Sequence, residues 1–309
     1  MDDKHYFRKG VIFSVLAYFL WGIFPIYWKL LSAIPSLHIL AYRVLFSLPL
    51  VSIILFAQKK TSWLKFYKDR RKAILLAFAS LIITFNWGLY ILAVNSGHTI
   101  DTSLGYYINP LISIVMGLIF FREKLKTLQV IAFVLAIAGV TILTVLTGRL
   151  PLISLGIAFS FAFYGLLKKT IDISALESLA VETLISSPIA IFLLFSSFGK
   201  GLEFPTLQGL SYWQGLPLHV PLILLLCGAV TALPLYLFAR GARLLPLSTL
   251  GFIQFISPTM TFVTGVFIFK ESFPLRNFIA FGFIWTAAIL YIISINYSGL
   301  KEAMPQERA

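Results

Sequence analysis

Leu104-Gly105, Asn109-Pro110 and Arg122-Glu123 recur later in the chain as Leu250-Gly251, Ser257-Pro258 and Lys270-Glu271. Proline and glutamate stand 13 residues apart in both copies, and the run between them is apolar or small throughout. Other positions fall into the same register. Leu89-Tyr90 and Ala93 match Leu235-Tyr236 and Ala239, Arg43 and Pro49 fall opposite Glu182 and Pro188, and Trp21-Gly22 falls opposite Tyr164-Gly165. The chain therefore reads as two related halves. Both are apolar enough to belong in a membrane, and a duplicated apolar bundle is the usual build of a secondary transporter, with its binding site between the halves.

Composition points the same way. Of 309 residues, 59% are hydrophobic and 12% charged, where a soluble domain carries about 25% charged residues. The 29 Phe and 13 Tyr suit lipid-facing and interfacial surfaces better than one soluble core. A net charge of +13 raises the question of nucleic acid. The charge, however, sits in short loops between apolar segments, and no basic polar domain exists to bind nucleic acid. Cys227, the single cysteine, lies in an apolar run and reads as a small buried hydrophobe. The first ten residues are polar, so the first apolar run is expected to be retained as a membrane helix.

A helix needs about 20 apolar residues to cross the hydrocarbon core. Ten segments qualify: 10–31, 37–57, 73–95, 101–121, 127–147, 151–168, 175–198, 219–241, 247–269 and 275–297. The sixth is short, and Lys168-Lys169 at its end are expected to snorkel. With the N-terminus placed in the cytoplasm, the inside segments carry 19 Lys and Arg and the outside segments 4. That bias sets the direction, with both termini cytoplasmic. Five spans per half is an odd number, so the repeat over 151–297 must be inverted relative to the repeat over 10–147. Residues 1–9 and 298–309 are then cytoplasmic ends. The predicted fold class is an all-α integral membrane protein of ten transmembrane helices in two inverted five-helix repeats.

Several motifs are similar to those of a known group. They include Ala17-Tyr18-Phe19-Leu20-Trp21-Gly22, Tyr27-Trp28-Lys29, Tyr42-Arg43, Asn86-Trp87, Ser103-Leu104-Gly105-Tyr106, Ile108-Asn109-Pro110, Tyr164-Gly165, Glu182-Thr183 and Ser248-Thr249-Leu250-Gly251. The chain resembles the EamA-type branch of the drug/metabolite transporter superfamily, and within it the RarD proteins. The resemblance runs through nearly the whole sequence. It implies ten helices in the bacterial inner membrane and transport of a small organic metabolite or drug, with export favoured. One departure is visible. The family carries a carboxylate about five residues before the arginine of the second helix, and this chain has His38 there.

Arg43 stands about six residues into the second span, roughly 9 Å below the surface. A lone arginine at such a place costs about 2.5–3.5 kcal/mol on insertion scales. It either snorkels to the nearby face or turns into a cavity with a partner. Glu182 is its counterpart in the other half and the sole carboxylate well inside a span, which makes it the candidate proton carrier. A direct bridge between them is not expected, because inversion puts them about 10 Å apart in depth in a core about 30 Å thick. Partners at matching depth are Asp101 for Arg43, and Arg240 or Arg243 for Glu182.

Trp21, Tyr27, Trp87, Tyr90, Tyr106, Tyr107, Tyr164 and Tyr236 either line a cavity or anchor the protein in lipid. Asn109 and Gln254 add amides near Pro110 and Pro258. These matched prolines are hinge candidates, since each removes a helix hydrogen bond. Glu123 and Glu271 are read as structural groups, each placed before a helix whose free N–H groups and dipole favour a carboxylate. Spans one, three, four, six, eight and nine are expected to line the path, with five and ten as scaffold.

No metal-ligand cluster, phosphate-cradling loop or nucleophile triad appears in the sequence, and no cofactor or catalytic residue is expected. The expected partners are a small-molecule substrate and the lipid bilayer. The alternative class is an integral-membrane enzyme acting on a lipid-borne substrate. It would need carboxylates or histidines clustered at one membrane face, and the sequence has none. A channel would need a repeated polar ring, which is also missing.

Overall fold

The computed structural model describes residues 3–31, 34–95, 99–147, 152–196, 219–270 and 277–303. Among them the chain is helical throughout, with no strand. The elements are α1 (Asp3–Leu30), α2 (Ser36–Ala57), a short 3₁₀ segment (Ser62–Lys68), α3 (Arg70–Asn95), α4 (Thr99–Phe120), α5 (Thr127–Thr147), α6 (Leu152–Thr170) and α7 (Ala175–Ser196). Then follow α8 (His219–Leu225), α9 (Cys227–Leu244), α10 (Leu247–Gln254), α11 (Ile256–Val263) and α12 (Asn277–Ala303). Among the described residues, eight helices are long and apolar enough to cross a membrane. Two shorter apolar helices, Gly105–Phe120 and Phe278–Ser294, occupy the expected fourth and tenth positions.

The bundle is apolar outside and partly polar inside. Ile53, Phe85, Ile119, Val145, Phe192, Phe267 and Ile292 are exposed, while Ser47, Ser80, Asn86, Asn109, Lys168, Glu182, Thr231 and Gln254 are buried. An apolar exterior of this extent fits hydrocarbon and not water. The chain is a multi-pass membrane protein.

Close approach of backbones sets the packing. The α5–α12 interface is built from Ala132, Ala136 and Val140 against Ala280, Ile284 and Ala287. A Cβ on Gly139 would lie 2.8 Å from the Ala280 carbonyl oxygen, so even alanine would push the two helices apart. Helices α1 and α9 run antiparallel: Gly10 and Ser14 meet Gly241 at one end, and Tyr27 reaches Cys227 at the other. Helices α4 and α10 also run antiparallel. Ser248 meets Gly117, Gly251 meets Ile114 and the Pro110 carbonyl, and Gln254 meets Asn109.

The connections 58–69, 121–126, 171–174 and 245–246 are knitted together at one end, here called the basic end. Ser62 donates to Glu177, Lys169 donates to the Leu245 carbonyl, and Arg243 donates to the Ile171 carbonyl at 2.7 Å.

The repeat also recurs in backbone conformation. Arg122 (φ 53°) and Lys270 (φ 58°) both adopt the left-handed conformation just after the fourth and ninth spans. The two spans differ elsewhere. Helix α4 continues through Pro110, whereas the ninth span is interrupted at Phe255 between α10 and α11, with Phe255 itself still in the right-handed helical region. Pro258 lies in the first turn of α11, where its missing N–H is tolerated and the preceding carbonyls are released.

Glu123 was expected to serve its own helix, and the structure gives it another. Its carboxylate accepts the N–H groups of Leu247 (2.6 Å) and Ser248 (2.8 Å), at the start of α10 in the other half. Pro246 at that helix start supplies no side-chain cap, so Glu123 provides it across the repeats. Glu271 and Pro274 lie outside the described residues.

Candidate functional site

Three polar or aromatic layers stack along the bundle. Nearest the basic end is a buried network on the α6–α7 hairpin. Helices α6 and α7 are joined by a turn centred near Ile173, so their residues pair across it. Lys168 falls opposite Ser178, and Tyr164 falls opposite Glu182. Lys168 Nζ donates to Glu182 Oε1 at 2.6 Å and to Ser178 Oγ at 2.8 Å. Ser178 Oγ donates to Glu182 Oε1 at 2.6 Å, and the Tyr164 hydroxyl donates to Oε2 at 2.9 Å. The two ionic side chains are 2% and 3% exposed. Each partner therefore balances a charge that would be costly alone.

The middle layer is an aromatic cluster with amide groups beside it. Trp21 packs edge-on to Phe161 with centroids 5.4 Å apart, and Tyr164 stacks on Phe238 at 5.9 Å. Phe161 and Phe238 close the set at 5.3 Å. Nearby, Gln254 Nε2 donates to Asn109 Oδ1 at 2.5 Å, and Asn109 Nδ2 donates to the Ala158 carbonyl at 3.1 Å. The Gln254–Asn109 bond joins the fourth span to the interrupted point of the ninth. Asn86 donates to the Ile157 carbonyl and to Ser160 Oγ, both at 2.8 Å.

The layer farthest from the basic end is built on Arg43 of α2. Its guanidinium lies 4.9 Å from the Trp28 ring centroid and 4.7 Å from that of Trp87. Nε donates to Thr231 Oγ1 of α9 at 3.0 Å. Tyr90 and Tyr106, with centroids 5.9 Å apart, stand within reach of its charge. Tyr27 closes the side toward α8 by donating to the Ile223 carbonyl at 2.5 Å. Arg43 turns inward and does not snorkel outward.

The EamA-like transporter family profile matches twice, over residues 8–145 and 150–293. An uncharacterized transporter, YojE of Bacillus subtilis, is 41% identical over 93% of this chain and 94% of its own. Protein RarD of Escherichia coli is 38% identical over 96% of this chain and 98% of its own. The chain belongs to the EamA-like transporter family, in its RarD branch. Membrane transport is the activity of the class it joins. A solved crystal structure shares the fold with a TM-score of 0.67 at 14% identity, covering 91% of this chain and 96% of that one.

Within this EamA fold the nominated residues separate into groups. Trp21 and Tyr164 meet in the aromatic layer, and Trp87, Tyr90 and Tyr106 meet around Arg43. Asn109 and Gln254 bond to each other. Tyr236 points elsewhere: its hydroxyl accepts a hydrogen bond from exposed Arg240, which also lies over Phe13. Tyr107 is buried edge-on against Phe281 in the α4–α12 packing. His38 is buried within α2.

The expected partners of Glu182 are replaced. Arg240 is occupied as above, Arg243 bonds the Ile171 carbonyl and faces Asp172, and Lys168 holds the carboxylate instead. Lys168 thus does not snorkel. Arg43 and Glu182 do not pair. Ala190 of α7 packs at the level of Ala41 and Val44 on α2, and Glu182 lies about 12 Å farther toward the basic end. The Asp101 side chain lies outside the described residues.

Proposed function

We propose that this chain is a ten-helix secondary transporter of the bacterial inner membrane, built as two inverted five-helix repeats. It moves a small organic metabolite or drug by alternating access, in the direction of export. The basic end and both termini face the cytoplasm. The observation that carries this reading is Arg43, a cation deep in the bundle whose shell comes from both halves: Trp28 and Trp87 from the first, Thr231 from the second.

The antiparallel packing of α4 on α10 supports the inversion. So does the contrast between a fourth span that stays helical through Pro110 and a ninth whose helix is interrupted at Phe255, as expected for a protein resting in one of two forms. In this reading Trp21, Phe161, Tyr164 and Phe238 close the path below the Arg43 site. Pro110 and Pro258 are the hinges, and Asn109 and Gln254 couple them. Glu182 carries the proton and exchanges it against the Lys168 ammonium.

Purified protein in proteoliposomes, offered a mixture of small metabolites with and without a proton gradient, tests the proposal. Saturable flux of a subset is expected, lost in Arg43→Ala and Glu182→Ala. Flux that rises linearly with concentration and survives both substitutions would mark a channel instead.

A further inference from the structure

Arg43 presents five N–H donors, and the structure commits one of them, Nε–H, to Thr231. The guanidinium carbon also lies 4.9 Å and 4.7 Å from the ring centroids of two indoles, Trp28 and Trp87. Cation–π contact of this kind offsets part of the cost of a membrane-buried cation but makes no hydrogen bond. The donors that bond no acceptor among the described residues are therefore those on Nη1 and Nη2. Among the described residues no carboxylate bonds to Arg43, and the residue is only partly buried. Other described cations are engaged elsewhere: buried Lys168 with Glu182, and exposed Lys29 4.0 Å over the Phe269 ring.

A guanidinium edge with two parallel N–H donors matches a planar oxyanion in bidentate geometry. One cation balances one negative charge. A phosphate dianion would leave excess charge in a low-dielectric site, whereas a carboxylate would leave none. Tyr90 and Tyr106, packed against each other within reach of the Arg43 charge, offer aromatic surface, which suits an apolar body bearing one anionic group. We infer that the Arg43 site selects organic monocarboxylates with an apolar or aromatic body. The carboxylate lies in the guanidinium plane on Nη1 and Nη2, and the body rests against Tyr90 and Tyr106. Trp28 and Trp87 hold the guanidinium by cation–π attraction without using its N–H donors.

This inference rests on the transport reading above, since it names the cargo of the same site. Benzoate and its neutral isostere benzamide are suitable probes, titrated against the purified protein in nanodiscs by intrinsic tryptophan fluorescence. Wild type should bind benzoate saturably and about tenfold or more tighter than benzamide. Arg43→Gln should abolish that difference, and Arg43→Lys, which keeps the charge without the fork, should retain only part of it. The wild-type comparison needs no variant to fold. Equal binding of the two probes, or none of benzoate, would overturn the carboxylate assignment while leaving transport of other solutes open. Selective benzoate binding without saturable flux in vesicles would instead sink the transport reading and leave the site. If Asp101 is the fixed partner of Arg43, Asp101→Asn will create benzoate selectivity that wild type lacks, which also overturns the inference.

Discussion

Lys168→Met should destabilise the protein by about 3–5 kcal/mol, because it strands the buried Glu182 carboxylate, to which no other cation among the described residues is bonded. Glu182→Gln, which strands the ammonium, should cost a similar amount. The double variant Lys168→Met with Glu182→Gln should recover most of the loss, since no lone buried charge remains. Thermal unfolding in detergent of the two single variants and the double variant measures this. Neutral single substitutions would mean that the 2.6 Å pair is not a fixed part of the fold. Transport separates the two roles of the pair. The double variant should be stable yet inactive if Glu182 carries the proton. Proton-driven flux in that variant would remove Glu182 from the mechanism and leave a purely structural network.

Glu123→Ala should loosen the start of α10 from a distance of more than a hundred residues in sequence. Two N–H groups lose a charged acceptor at 2.6 and 2.8 Å, and the helix dipole loses its counter-charge, together about 2–3 kcal/mol. Hydrogen exchange at the Leu247 and Ser248 amides should therefore accelerate by about 30-fold or more, while the α5–α12 interface exchanges as before. Glu123→Gln, which keeps one acceptor oxygen, should fall between. If exchange at both amides stays slow in Glu123→Ala, another group caps this helix.

The spans were legible because apolar length is a local property. The repeat was legible because the Pro–Glu spacing is conserved between the halves, and the left-handed Arg122 and Lys270 are its backbone counterpart. The partner of Glu182 was within reach. Counting outward from a short turn near Ile173 sets Lys168 against Ser178 and Tyr164 against Glu182. Treating the end of a short span as a snorkelling lysine concealed that register. The partners of Arg43 and Glu123 were not legible. Thr231 and Leu247 are brought to them by packing of one half on the other, and no local pattern encodes such a contact. The break of the ninth span beside an unbroken fourth was also hidden, because Pro110 and Pro258 look alike in sequence and differ only in the surroundings each half provides.

Inverted halves that alternate make one demand that a static bundle or a channel does not. The same bend in opposite halves must open opposite ends. In a Cys227→Ser background, single cysteines at Ile39 near the Arg43 end and at Ala242 near the basic end report access to a thiol reagent. Pro110→Ala and Pro258→Ala should move the two labelling rates in opposite directions, each raising one while lowering the other. The rise should fall at different ends in the two variants. If both substitutions shift labelling the same way, or open both ends together, the halves do not alternate and the transport mechanism proposed for this chain is contradicted.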